Sequence, residues 1–299
     1  MYKWGLDSSY GLTGMAEGEF AVQDLTWEIV NKMNLGVELG FLNGMIDLQL
    51  DYFDERRKDI FMPRESVPMT AGFMKQPWKN FGKVTNQGVE VSLNVNKQFG
   101  KDLFVSLMGT FTYAHNEITE KDEPSAVVGT NRAETGHPVG QLTGYIAEGL
   151  FTEDDFEDVS TGKLKEGIPT QSFVSKLRPG DIRYRDVNGD GKVDVFDKSP
   201  IGGTKDPEIV YGFGLNMKYK DLDFGALFQG IGRSWNILGS SIIPGANRGV
   251  TGNMFTNAND RWTVDNPSQN VFYPRLDDGI NSNNNQPSTW WLRNMVFYV

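Results

Sequence analysis

The densest chemistry in the sequence lies in twelve residues, Asp186-Val187-Asn188-Gly189-Asp190-Gly191-Lys192-Val193-Asp194-Val195-Phe196-Asp197. Their spacing is that of a calcium loop: Asp186, Asn188 and Asp190 at alternate positions, Asp194 at the ninth and Asp197 at the twelfth. Alternate side chains of such a turn converge on one cation. Gly191 permits the sharp bend, and the backbone carbonyl of Lys192 supplies another oxygen. Ca2+ is the expected occupant, in a structural role, because carboxylates crowded this closely repel one another without a cation. Two features depart from the pattern. Asp197 stands where a longer Glu is usual, and no helical periodicity flanks the loop. A tight hairpin of Asx-turns uses the same residue types without metal, and both readings stay open on the sequence.

Elsewhere the supply of reactive groups is thin. There are no cysteines, which excludes disulfides, thiolate zinc sites and cysteine nucleophiles. The two histidines, His115 and His137, lie far apart, and neither a G-x-S-x-G elbow nor a phosphate loop occurs. Acids such as Asp47, Glu90 and Asp223 are scattered and read as polar strand positions, so the chain is not expected to be an enzyme. Trp78, Trp235, Trp262, Trp290 and Trp291 fall in or beside loops, where they either stack on sugar rings or pack the loops. The acidic run Glu148–Asp158 reads as a solvated loop face. A formal charge of −10 argues against nucleic acid as a partner.

The elements that must position these residues are strands. Leu35, Val37, Leu39 and Phe41 alternate with Asn34, Gly36, Glu38 and Gly40, a period of two. Asn43-Gly44 then supplies the residues a type I′ turn needs, and Ile46, Leu48, Leu50 and Tyr52 alternate with Asp47, Gln49 and Asp51. A two-residue turn sets Phe41 against Ile46, Leu39 against Leu48, Val37 against Leu50 and Leu35 against Tyr52, apolar on both sides each time. Similar hairpins are expected over Gly88–Tyr113 and Glu208–Ile231, with a seventh strand starting near Trp290. Short turns alternate with the long connections Glu55–Gln87, Ala114–Pro207 and Gly232–Thr289. That asymmetry suits an outer-membrane barrel with short turns at one end and long loops at the other. The six complete strands run about 9 to 12 residues, near what a tilted strand needs to cross a bilayer. In that reading the apolar rows face lipid. The rows carrying Asn34, Glu38, Asp47, Gln49, Asp51, Glu90, Ser92 and Asn94 face a polar lumen. Phe41, Phe99 and Tyr219 form one aromatic girdle, and Tyr52, Phe111, Tyr211 and Phe228 the other. The competing reading is an ordinary half-buried antiparallel sheet.

No secretory signal opens the sequence, and no run approaches the roughly 18 apolar residues of a membrane helix. The start is loop-like and Met295–Val299 ends inside a strand pattern, so a fragment is expected.

Several stretches together resemble SusC/RagA-type TonB-dependent transporters. They are Asp24-Leu25-Thr26-Trp27-Glu28 ahead of Asn34-Leu35-Gly36, Asn86-Gln87-Gly88-Val89-Glu90, and Gly136-His137-Pro138-Val139-Gly140 with Gly144-Tyr145. Pro179-Gly180-Asp181-Ile182-Arg183-Tyr184, running into the calcium-type loop, is the most distinctive. Ile201-Gly202, Pro207, Tyr211-Gly212-Phe213-Gly214, Phe228-Gln229-Gly230, Arg261-Trp262-Thr263, Pro274-Arg275-Leu276 and Leu292-Arg293-Asn294 complete the order. The resemblance covers residues 24–299. It implies an all-β fold: residues 1–299 as part of one antiparallel transmembrane barrel, here an open portion, with a long extracellular loop over 114–207 holding the 186–197 motif. It further implies a bacterial outer-membrane transporter of Bacteroidota that imports glycans or peptides. The implied partners are a SusD-like surface lipoprotein, the TonB system and outer-membrane lipid. The plug, the TonB box and the terminal strands of the family pattern are missing from this sequence. The alternative class is a secreted, calcium-stabilised β-sandwich that binds carbohydrate; a glycoside hydrolase has only unpaired acids in its favour.

Overall fold

The computed structural model describes residues 2–3, 13–14, 21–71, 75–239, 255–277 and 279–295. Strands β1 (Tyr2–Lys3) and β2 (Thr13–Gly14) form a small ladder of their own. Six longer strands make one sheet: β3 (Ile29–Phe41), β4 (Ile46–Pro63), β5 (Trp78–Phe99), β6 (Leu103–Glu120), β15 (Ile209–Tyr219) and β16 (Leu222–Gly232). Their order is β16-β15-β6-β5-β4-β3. The hairpin registers follow from the alternation. Leu39 pairs with Leu48, Glu38 with Gln49, and Phe41 with Ile46, across a turn in which Asn43 and Gly44 both have positive φ. Leu42 joins them at φ 54, so three successive left-handed residues close this turn. Val91 meets Phe111 and Val95 meets Leu107 in the next hairpin. Across the long connection, Tyr211 returns to Phe111 and Leu215 to Leu107.

Four of the strands outrun the expected lengths: β3 has 13 residues, β4 and β6 have 18 each, and β5 has 22. The supposed loop Glu55–Gln87 is therefore mostly ladder, with only the 64–77 stretch between strands. The ladder slips between Arg57 and Ile60 and between Ile60 and Phe61, bulges that let the pairing continue while changing which side chains share a face.

Burial in this sheet is inverted. Among the described residues, Ile118 is its one buried apolar side chain, whereas Leu35, Val37, Leu39 and Phe41 are between 40% and 62% exposed. The facing rows in β5, β6 and β15 (Val89, Leu93, Leu107, Phe111, Phe213) are exposed too. Phe213 stacks on Phe228 at 4.8 Å on this face. All seven aromatics assigned to girdles lie on these strands, and Phe41, Phe99, Tyr219, Tyr52, Phe111 and Phe228 are exposed. One edge of the open sheet is β3, as expected. The other is β16, not a strand near Trp290. The apolar residues there build β18 (Leu292–Met295), which pairs with β17 (Ser234–Ile237) in a separate two-stranded ladder. The end of the sequence beyond Met295 lies outside the described residues.

The chain divides into two compact units. The sequence reading made 114–207 a loop of a single domain. Within that stretch, Ala114–Glu120 continues β6, and Gly140–Pro207 groups with the described part of Gly232–Val296 in the second compact unit. The apolar core lies in this second unit. Tyr145, Leu150, Ile182, Tyr184, Val193, Trp262, Tyr273 and Trp291 form one cluster, and Phe151, Phe156 and Leu177 another. Only short ladders serve it. β8 (Ala147–Leu150) pairs with β12 (Ile182–Tyr184), β11 (Thr170–Gln171) with β13 (Lys192–Val193), and β7 (Thr143–Gly144) with β14 (Ser199–Pro200). β9 (Phe156–Asp158) and β10 (Lys163–Leu164) form the remaining pair.

Candidate functional site

Two places in the molecule concentrate polar chemistry: the polar face of the six-stranded sheet and the interior of the second unit. On the sheet, the two-residue period and the registers align side chains into cross-strand rows. Glu38, Gln49, Ser92 and Thr110 form one row, and Asp51, Glu90 and Thr112 the next. Asp51 and Glu90 are like charges directly opposite each other, an arrangement that disfavours the ladder. Gln49 Nε2 donates to Asp51 at 3.0 Å. Asp47 faces Asn94 rather than another acid and Asp223 lies 3.8 Å from Lys218, so of the three scattered acids it is Glu90 that meets a second carboxylate, that of Asp51.

Where β6 ends, charged residues fasten the neighbouring turns. Asp122 accepts from Arg64 Nε at 2.9 Å and from the amide of Ser66 at 3.1 Å. Burial pushes the Asp122 carboxyl up, but Arg64 and Ser66 outweigh it and hold it below the usual carboxylate range. Glu123 receives the amide of Glu134 at 2.6 Å and the Thr135 hydroxyl at 2.7 Å.

In the second unit the period-two strand β12 turns Ile182 and Tyr184 inward, 0% and 2% exposed, and leaves Arg183 outward. Arg183 and Arg185 engage Glu148, and Arg183 reaches Asp155 at 3.4 Å, so the acidic run is partly paired rather than merely solvated. The organising group is Asp181, fully buried. One of its oxygens accepts from Arg275 Nε at 3.1 Å, Asn281 at 2.9 Å and Asn284 at 3.1 Å, and the other from the amide of Arg178 at 2.9 Å. Burial pushes the Asp181 carboxyl up, against the pull of the Arg275 guanidinium. Gly180 precedes it at φ +86, and a Cβ there would stand 2.3 Å from the Trp262 ring, so both backbone and packing require glycine. Burial, then the charges of Asp197 and Asp194, push the Tyr145 hydroxyl up to about 12, and burial drives that of Tyr184 up as well.

The Asp186–Asp197 loop closes on its own amides. Asp186 accepts from Gly189 and Gly191 at 2.7 Å each, Asn188 from the amide of Asp190 at 2.9 Å, and Asp190 from that of Lys192 at 2.9 Å. Lys192 Nζ lies 2.9 Å from Asp194. Asp197, wholly buried, accepts from Val187 at 2.8 Å and from Asp194 at 2.8 Å. The structure thus brings the six predicted residues into one loop. Among the described residues, however, no three acidic or histidine side chains are arranged to hold a metal ion. Of the tryptophans, Trp262 and Trp291 are core residues and Trp235 packs on Gly202 and Gly203, while Trp78 stays 46% exposed beside Phe61. Sequence reasoning missed the Asp181 clasp, because Arg275, Asn281 and Asn284 are about a hundred positions away and carry no local pattern.

The sequence matches the family described as TonB dependent receptor-like, beta-barrel, over residues 4–264. The chain belongs to that family. Its relatives include TonB-dependent receptor P26 of Formosa agariphila, 27% identical over 270 residues, covering 87% of this chain and 26% of the relative. TonB-dependent receptor SusC of Bacteroides thetaiotaomicron is 28% identical over 207 residues, covering 68% and 19%. The chain thus spans about a quarter of the length of these proteins. The fold is that of the structure titled "Structure of the RagAB peptide transporter", with a TM-score of 0.66 and 23% identity over 95% of this chain and 29% of that one. The open six-stranded sheet is a portion of a TonB-dependent receptor barrel, not closed in this chain. Membership implies the outer membrane, and the relatives carry the names of receptors rather than of enzymes.

Proposed function

We propose that this chain is barrel wall and loop unit of an outer-membrane TonB-dependent transporter. In this reading it imports glycans or peptides too large for porins, is driven by the TonB system and works with a SusD-like surface lipoprotein. The observation that carries the reading is the inverted sheet. Its apolar rows lie exposed on one face and polar rows on the other, while the core of the chain sits in a different unit. Exposed apolar rows of this kind suit a lipid boundary. A β-sandwich would need a second sheet packed on the first; among the described residues the other sheets are two-stranded. The names of the relatives, SusC among them, support TonB dependence, and the likeness to the structure titled "Structure of the RagAB peptide transporter" supports transport. The test is uptake by cells. Deleting the full-length gene should abolish growth on one glycan or peptide source, deleting tonB should give the same loss, and the surface lipoprotein should co-purify with the protein. Unimpaired growth on every tested oligosaccharide and peptide would sink the proposal.

For Asp186–Asp197 the proposal is a structural Ca2+. The spacing of Asp186, Asn188, Asp190, Lys192, Asp194 and Asp197 supports it, and the self-closed loop limits any such ion to bracing what is already folded. Limited proteolysis of the full-length protein with and without chelator decides the matter. Calcium should slow cleavage around Arg178–Arg185; equal protection under chelation leaves a metal-free loop.

A further inference from the structure

Asn-Gly occurs twice in the sequence, at Asn43-Gly44 and at Asn188-Gly189. The dipeptide has a chemistry of its own. The glycine amide nitrogen can attack the carboxamide carbon of the asparagine before it, because glycine carries no Cβ to obstruct the approach. Asparagine is among the thermolabile residues.

The two copies differ in how they are held, not in access. All four residues are exposed, and the glycines share one backbone conformation, φ +79 at Gly44 and +78 at Gly189. A Cβ at either glycine would meet no atom within 4 Å. At Asn188-Gly189 both reacting groups are occupied. The Gly189 amide donates to Asp186 Oδ1 at 2.7 Å. The Asn188 carboxamide accepts from the amide of Asp190 at 2.9 Å and donates to Asp190 Oδ2 at 3.2 Å. At Asn43-Gly44, among the described residues, no hydrogen bond holds the glycine amide or the asparagine side chain. The main-chain bond that spans this turn, from the Met45 amide to the Leu42 carbonyl, is long at 3.3 Å.

We propose that Asn43 is a site of spontaneous deamidation, and that the hydrogen bonds of the 186–197 loop protect Asn188 from the same reaction. The Gly44 nitrogen bonds to Cγ of Asn43 and loses its proton, while the side-chain nitrogen leaves as ammonia. The product is a five-membered succinimide. Water then opens the ring at one of its two carbonyls, leaving aspartate or isoaspartate at position 43. One water is consumed and one ammonia released, no electrons change hands, and the co-reactant is the solvent. Isoaspartate routes the main chain through the side chain and so lengthens the turn by one carbon, and either product adds a negative charge. The modification therefore falls on the link that aligns Leu39 with Leu48. The inference needs only the hairpin and the loop, and stands apart from the transport reading.

The test uses the full-length protein in detergent at mildly alkaline pH, with a chelator present so that no cation shields the 186–197 loop. Peptide mapping by mass spectrometry follows both asparagines with time, and enzymatic methylation scores isoaspartate. In the folded protein Asn43 should convert at least roughly tenfold faster than Asn188, the equivalent of the one charge-assisted hydrogen bond that must break before Gly189 can attack. In the guanidinium-unfolded protein the two rates should converge. Gly44→Ala should slow conversion at Asn43. Asp186→Ala removes the acceptor of the Gly189 amide and should bring Asn188 towards the rate of Asn43. If that variant does not fold, the comparison of folded with unfolded protein decides alone. Equal rates in the folded protein, faster conversion at Asn188, or a tenfold gap that persists after unfolding would each overturn the inference, as would an unchanged Asn188 rate in folded Asp186→Ala.

Discussion

Asp181 sits where three stretches of chain meet, and its worth is set by what surrounds it. Arg275 is itself largely buried against Asp181 and Asp277, so truncating the acid leaves a guanidinium with half its partners. Asp181→Ala is expected to destabilise the second unit by about 3 kcal/mol, the lower end of what losing one member of a buried pair costs. Denaturant unfolding followed by fluorescence of the core residues Trp262 and Trp291 would report it. Asp122 offers a pH test with a definite sign. Its folded-state carboxyl lies below the usual range, so its stabilisation is complete above the unfolded value of about 3.9 and fades as pH falls through the lower, folded value. The protection factor of the Ser66 amide, its exchange rate corrected for the intrinsic dependence on pH, should stay high at neutral pH and fall only in that acid window; a fall in protection near pH 7 would contradict the assignment. These residues mark the limit of legibility. The 186–197 loop announces itself because its partners are neighbours in sequence. The Asp181 clasp does not, since its partners are joined by the fold alone.

Strands and turns were the most readable elements, for a physical reason: a two-residue turn and a two-residue period together admit one register. Leu39 opposite Leu48 follows from that alone. What misled was length and destination. Charged and polar residues continue β4, β5 and β6 as ladder, where falling hydrophobicity suggests loop, because main-chain pairing continues without an apolar row. Leu292–Met295 has a strand pattern, yet its partner is Ser234–Ile237 rather than the sheet, and pattern cannot name a partner. The Leu42–Gly44 turn supplies a prediction at this scale. Gly44 has φ +79 with open space around it, so a methyl group there meets no neighbour and acts through backbone strain. Gly44→Ala should cost about 1 kcal/mol, read from urea unfolding in detergent. An unchanged midpoint would mean that the turn relaxes without using the left-handed region.

For the molecule as a whole, the account rests on which way the sheet is turned. A soluble sheet hides its apolar rows; this one exposes them and keeps the chain's core elsewhere. The most direct measurement is cysteine accessibility in the full-length protein reconstituted into lipid bilayers, using a water-soluble maleimide. Single cysteines at Leu39, Leu50 and Leu93 sample one face, and at Glu38, Gln49 and Ser92 the other. The account predicts that the first set is shielded in lipid and becomes reactive on denaturation, while the second set reacts from the aqueous side. Labelling of the leucine positions as fast as the polar ones in intact bilayers would contradict it.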